Sequence, residues 1–350
     1  MAYETKKGHY RIDQHTKLCN LEDKLDEASI RYLSERQDVQ NLQIALPIGY
    51  DNKGIYSAEI WRLMNEQLFA KGKLFRIYSY DICDNFSLDF LEFLPALTHF
   101  QLDVKAAKMG GYDKLASLKK LDQFIYANEH ESGHDYLTFL SDTITYLSVG
   151  GNKKSLSLKA IERFSQLEML AIGKKSKDLA SIEKLNNLKS LSLSSLPLKD
   201  LSFLKALDNL QELCLSLGSL SDVESLKSLN LTRLETFRVK GIEDVTFLQS
   251  LEKLEDLKIE TQPKITQLPD LSKLSQLKQV HFSNLKSLTD FTPFKLIPNL
   301  KRFSILDFKH DPDLLIPVLE NESLEELNFG ASTQKQIKKM ELLKEKYGKK

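Results

Sequence analysis

Charge of one sign, cysteine, tryptophan and long apolar runs are all scarce in this 350-residue chain. Its 49 Lys+Arg balance 49 Asp+Glu, which argues against gripping nucleic acid or anionic membrane by bulk electrostatics. The three cysteines, Cys19, Cys83 and Cys214, are odd in number, far apart and outside any C-x-x-C pair. They make neither a disulfide framework nor a zinc knuckle. No apolar run approaches the roughly 20 residues of a membrane-spanning helix. The opening MAYETKKGHYRID has no apolar core and no cleavage-like site, so the expected compartment is the cytoplasm, although a removed signal peptide would leave no trace. With 41% hydrophobic and 28% charged residues the composition is that of a folded chain.

What the chain has in excess is leucine: 63 of 350 residues, or 18%. Aligned on L-x-x-L-x-L with other apolars allowed, the lead residues are Leu74, Leu97, Leu121, Ile144, Leu167, Leu188, Leu210, Leu234, Leu254, Leu277, Leu300 and Leu324. Every interval between them falls in the range of about 20–29 residues that marks a leucine-rich repeat. LEMLAI (167–172), LKSLSL (188–193), LQELCL (210–215) and LEDLKI (254–259) show the pattern most clearly. Between these strands Asp178, Asp200, Asp222 and Asp244 recur at equal intervals, once per repeat, before an apolar run, with Asp270 and Asp290 as looser echoes. A carboxylate there can cap a short helical or 3₁₀ segment. Each repeat therefore reads as strand, turn, Asp cap and short helix, and neighbours must stack to bury their leucines.

Segments such as LKDLSFLKALDNLQELCL and LSDVESLKSLNLTRLETFRV resemble the internalin-type subclass of bacterial leucine-rich repeats, over about residues 74–330. The resemblance implies an α/β solenoid, a curved horseshoe with a concave parallel sheet and short helices or 3₁₀ turns outside. It also implies a bacterial recognition protein. In one respect the chain departs from the family. The buried Asn that ladders between turns is replaced by Leu196, Gly218, Ile242, Gln262 and Leu285, and only Asn152 fits. Apolar-packed, less regular turns are expected.

Residues 1–72 break the period and read as an N-terminal cap with an irregular first repeat. There SAEIWRLMNEQLFAKG forms an amphipathic helix that Gly72 closes. Residues 73–330 form the solenoid of about 12 repeats. The tail 331–350 is a C-terminal capping helix with Ile337, Met340, Leu343 and Tyr347 on one face.

One motif could carry chemistry. His130-Glu131-Ser132-Gly133-His134 is a literal H-E-x-x-H, in which two imidazoles one helical turn apart bind zinc and the glutamate activates water. That spacing works only on a helix, yet Gly133 lies inside the motif and Asp135 follows it. A polar loop is the preferred reading, and a zinc-dependent hydrolase through His130, Glu131 and His134 is kept as the alternative. Phosphate-binding loops, dinucleotide fingerprints and nucleophile elbows are missing from the sequence. Cys214 faces out of its strand, with Ser192 and Arg238 expected beside it and no base. No cofactor and no catalytic residue is expected.

Strand alternation yields the exposed face. Its partner-binding candidates are Arg76, Tyr78, Tyr80, His99, Gln101, Asp103, Tyr146 and Met169 toward the N-terminus, then Arg238, Lys240, Asp256, Lys258 and Glu260. Tyr and Arg are the residues enriched where binding energy concentrates. The expected function is a monomeric, non-catalytic scaffold that holds a protein partner on this face, possible roles being an intracellular inhibitor or immunity-type protein. A secreted or host-directed effector or adhesin is the other version. No nucleic acid and no membrane is expected as partner.

Overall fold

The computed structural model describes residues 3–50, 54–127, 136–149 and 155–350. The chain divides into two compact units, 1–185 and 186–350. In the first unit, strands β1 (Tyr3–Lys6), β2 (Tyr10–Asp13) and β3 (Cys19–Leu21) are antiparallel. From β3 onward every pairing is parallel, through β4 (Asn41–Leu46), β5 (Leu74–Ser79), β6 (His99–Asp103), β7 (Gln123–Tyr126), β8 (Tyr146–Val149) and β9 (Met169–Ile172). Helix α1 (Glu27–Glu35) starts where the Asp26 carboxylate accepts the Ser29 amide at 2.8 Å. Helix α2 (Ala58–Gln67) starts at Ser57, and Gly72 closes its continuation at φ 79°.

Alternation explains the core. On β5, β6 and β7 the inward residues are Phe75, Phe100 and Phe124, whose rings stack in file at centroid distances of 5.9 and 6.1 Å. Trp61 from α2 meets Phe75 at 6.0 Å, so the capping helix is fixed to the sheet by a fully buried ring. Lys73 is 3% exposed, and its ammonium donates to the carbonyls of Arg36 and Val39 that follow α1. Burial lowers its pKa.

The second unit carries β10 (Ser190–Ser194), β11 (Glu212–Ser216), β12 (Arg233–Phe237), β13 (Asp256–Glu260), β14 (Gln279–Ser283), β15 (Arg302–Phe308) and β16 (Glu326–Ala331), all parallel. Helix α3 (Ile316–Leu319) precedes β16 and helix α4 (Gln334–Lys346) follows it. Met340 on α4 is 1% exposed, and the Leu327 amide donates to the Lys350 carbonyl at 2.8 Å, which occupies the outer edge of β16.

Most of the short helical segments between strands are 3₁₀ rather than α. Asp200, Asp222, Asp244, Asp270 and Asp290 each accept the amide two residues ahead at 2.8–2.9 Å. Asp178 does not: it sits at φ 61° and its carboxylate takes the Ser157 hydroxyl instead. At the turns that lack the family's Asn, another device recurs. Ser195, Leu217, Arg238, Thr261, Asn284 and Asp307 all adopt left-handed backbone, once in each successive repeat. Each of the first five donates its amide to a carbonyl of the next turn: to Ser216, Phe237, Glu260, Ser283 and Leu306, at 2.7–3.2 Å. A ladder made of backbone alone thus stitches these turns, whatever the side chain.

This series corrects one repeat. Leu231, not Leu234, is the lead residue: Leu213 pairs with Leu234 and Leu215 with Thr236, so Thr236 points inward at 2% exposure. The pattern is met in full by L-E-T-F-R-V from Leu234, whereas L-T-R-L-E-T from Leu231 has Thr236 in the last apolar place, and only pairing with the neighbouring strands selects the second frame. Leu74, too, departs from its expected inward place and lies half-buried on the open face, where parity with Arg76 puts it.

A candidate protein-binding face

On the open face of the first unit the expected residues separate into two groups. Arg76, Tyr78, Tyr80, Gln101 and Asp103 form one contact cluster. The Asp103 carboxylate accepts from the Arg76 guanidinium at 2.7 Å and from the Gln101 amide at 2.7 Å. The guanidinium then lies 4.8 Å from the centroid of the Tyr78 ring. Tyr78 meets Tyr80 edge-on at 5.2 Å, with their hydroxyls 3.3 Å apart. Tyr80 lies past the end of β5 and is 69% exposed, its carbonyl accepting the Lys105 ammonium at 2.8 Å. Burial, then the bond to Tyr80, pushes the Tyr78 phenol up to about 12.

The second group is a row in strand register: His99, Gln123, Tyr146 and Met169 on successive strands. Nδ1 of His99 contacts the Thr98 hydroxyl at 2.7 Å and Nε2 lies 4.0 Å from the Asp122 carboxylate. Burial lowers the His99 pKa, and Asp122 opposes that shift. Met169 is 46% exposed. Tyr146 is therefore not in contact with the tyrosine pair: β6 and β7 lie between them, and it belongs to a different register row.

Sequence reasoning missed the contribution of the capping strands. Gln43 on β4 pairs with Arg76 and is buried on this face at 6% exposure. Its Nε2 donates to Asn20 at 2.7 Å while Oε1 has no partner. Beside it a cavity of about 230 Å³ opens, lined by Leu18, Leu42, Leu74, Arg76, His99 and Gln101 among others. The alternation in NLQIAL would have placed Gln43 outward had the cap been included in the face.

In the second unit Asp256, Lys258 and Glu260 lie on the open face as expected. Arg238 and Lys240 do not: the corrected frame puts Arg233, Glu235 and Phe237 there, with Arg238 at the left-handed turn and Lys240 beyond it. The face is charged but paired. Arg233 bonds Glu235 and lies 3.9 Å from Asp256, Lys258 lies 3.3 Å from Glu260, and His281 contacts Glu260 at 3.0 Å. The register neighbours of Cys214 are Ser192 and Glu235, not Arg238, and burial raises its thiol pKa. His130, Glu131 and His134 lie outside the described residues, as does Asn152. Among the described residues no three His, Cys, Asp or Glu side chains gather as metal ligands.

Parallel strands that recur once per repeat, joined by 3₁₀ segments over a leucine core, define both units as α/β leucine-rich-repeat structures. Solved structures share the fold. An internalin, InlF of Listeria monocytogenes, is similar with a TM-score of 0.51 at 15% identity, over 90% of this chain and 92% of that one. TLR13, in a complex with ssRNA13, gives 0.53 at 18% identity over 87% of this chain, which spans about half (49%) of its length. A leucine-rich-repeat protein of Leptospira interrogans gives 0.47 at 18% identity over 87% and 89%. No family model and no curated protein matches the sequence.

Proposed function

We propose that this protein is a non-catalytic scaffold that captures a protein partner on the open sheet face of its first unit. One observation carries the reading. An Arg and two Tyr are locked into a single preorganised group by Asp103 and Gln101, yet Tyr80 is left 69% exposed. Rigid aromatic and Arg side chains that need no ordering on contact are what a binding hot spot requires. The charges of Arg233, Glu235, Lys258, Glu260 and His281 in the second unit already satisfy one another, so they add solubility and orientation rather than affinity. Although the TLR13 structure is an RNA complex, a formal charge of zero here favours a protein surface over a phosphate backbone.

Within that reading the protein acts as a monomer in the bacterial cytoplasm, as an inhibitor or immunity-type protein that occludes a toxin or enzyme. The host-directed effector or adhesin predicts instead an export signal and a partner outside the producing cell. Affinity capture from the native host, with mass spectrometry of the retained proteins, tests both. Tyr78→Ala with Tyr80→Ala should release the main partner and lower the thermal midpoint by no more than a few degrees, since Tyr80 is exposed and Tyr78 only half-buried. Retention of the same partner by the double variant would remove this face from the account.

A further inference from the structure

The second unit has a cleft that the open face does not use. It lies between the turns 238–243 and 261–264, has a volume of about 420 Å³, and has mainly hydrocarbon walls that include Val239, Ile242 and Pro263. Two features distinguish it from a packing gap. Gln262 lines it at 4% exposure, and its amide nitrogen is buried with no hydrogen-bond partner. Gln262 stands where the repeat family keeps its laddering Asn, but in the corrected frame the equivalent residues of the adjacent turns are Val239 and Leu285, which offer it nothing. The local backbone amides are spent on the left-handed ladder, as the bonds from Arg238 to Glu260 and from Thr261 to Ser283 show. A buried amide donor left unpaired costs free energy, so it is retained against stability.

Charge is the second feature. Arg238, Lys240 and Lys264 line the cleft, and Lys264 is neutralised by Glu243. Arg238 and Lys240 are exposed and form no ion pair among the described residues, although the Arg238 guanidinium lies 5.4 Å from the centroid of the Phe237 ring. The floor is also rigid: Gly241 sits at φ 92°, and a Cβ there would come within 2.1 Å of the Leu220 carbonyl oxygen. An unpaired donor and two cations without an anionic partner, over apolar walls, are complementary to one chemistry. We propose that this cleft binds a terminal carboxylate that carries an apolar group. Its oxygens accept from Gln262 and the cations while its hydrocarbon lies on Val239 and Ile242. A small carboxylic acid and the C-terminal residue of a peptide share that chemistry.

Titration of the full chain by calorimetry and by amide chemical shifts tests it, with hexanoate, hexanamide, N-acetyl-leucine and N-acetyl-leucinamide as probes. The acids should bind at least about tenfold more tightly than their amides, because charge-assisted bonds are lost with the charge. Tighter binding of hexanoate assigns a small-molecule acid; tighter binding of N-acetyl-leucine assigns a peptide end. Arg238→Gln and Lys240→Gln should each weaken acid binding about tenfold. Gln262→Leu should abolish it while leaving the fold as stable or more so, since an orphaned donor is replaced by an apolar group. Equal binding of acids and amides, no saturable binding of either acid, or full binding by Gln262→Leu would each overturn the proposal.

Discussion

Replacing Ser195 by glycine should stabilise the second unit, whereas glycine within the strand just before it should weaken it. Ser195 holds φ at 58°, and its amide donates to the Ser216 carbonyl at 2.7 Å, the first rung of the backbone ladder. For an L-residue that conformation costs about 1–2 kcal/mol, which glycine avoids. Against this, glycine loses about 0.5–1 kcal/mol through the freedom of its unfolded chain. The net gain is about 0.5–1 kcal/mol, or a few degrees in midpoint for a unit of this size. Ser192→Gly, in the extended backbone of β10, carries only the loss and should destabilise by about 0.5–1 kcal/mol. Ser195→Pro forces φ negative, deletes the rung and strands the Ser216 carbonyl, at a cost of about 3 kcal/mol or more. Urea denaturation followed by circular dichroism, with unchanged m-values, reads all three. If Ser195→Gly falls with Ser192→Gly, the left-handed turn is not strained and the ladder does not organise these repeats.

Two further outcomes follow from buried polar groups. Asn321 is 1% exposed, donates to the carbonyls of Phe294 and Ile297 at 2.7 and 2.9 Å, and accepts the Ser323 amide at 2.8 Å. Asn321→Ala should cost about 2–4 kcal/mol in denaturant titration, whereas a cost near zero would mean water replaces all three bonds. The His99 imidazole should titrate below its ordinary 6.5 by NMR, and Asp122→Asn should lower it further because the carboxylate's pull is removed. Since the folded pKa is depressed, the unfolded chain takes up the proton first. The His99 contribution to stability is therefore intact above 6.5 and is lost as pH falls from there through the folded value. A midpoint that rises in Asp122→Asn would refute the assignment.

Much of the site was legible because its residues lie on strands whose alternation is local. Arg76, Tyr78, His99, Gln101 and Asp103 appear on the face where the period of two puts them. Arg238 and Lys240 were misplaced because Leu234 opens the fuller match to the leucine pattern, and its three-residue offset from Leu231, an odd number, turns every side chain over. Gln43 escaped notice because it belongs to the irregular cap, where no repeat marks the register. The unpaired Gln262 amide could not have been inferred from its own segment, since its isolation depends on what Val239 and Leu285 fail to offer.

The sequence by itself determined the repeat, its period, the direction of most strand side chains and the Asp caps. These all rest on interactions within one turn or between a residue and its alternating neighbours. Only the tertiary structure decided which leucine leads in the ambiguous repeat and that the turns are joined through left-handed backbone. It alone drew Arg76, Tyr78 and Tyr80 into one group apart from Tyr146. Those outcomes depend on hydrogen bonds and contacts between residues of different repeats, where each partner is chosen by the stacking of whole repeats.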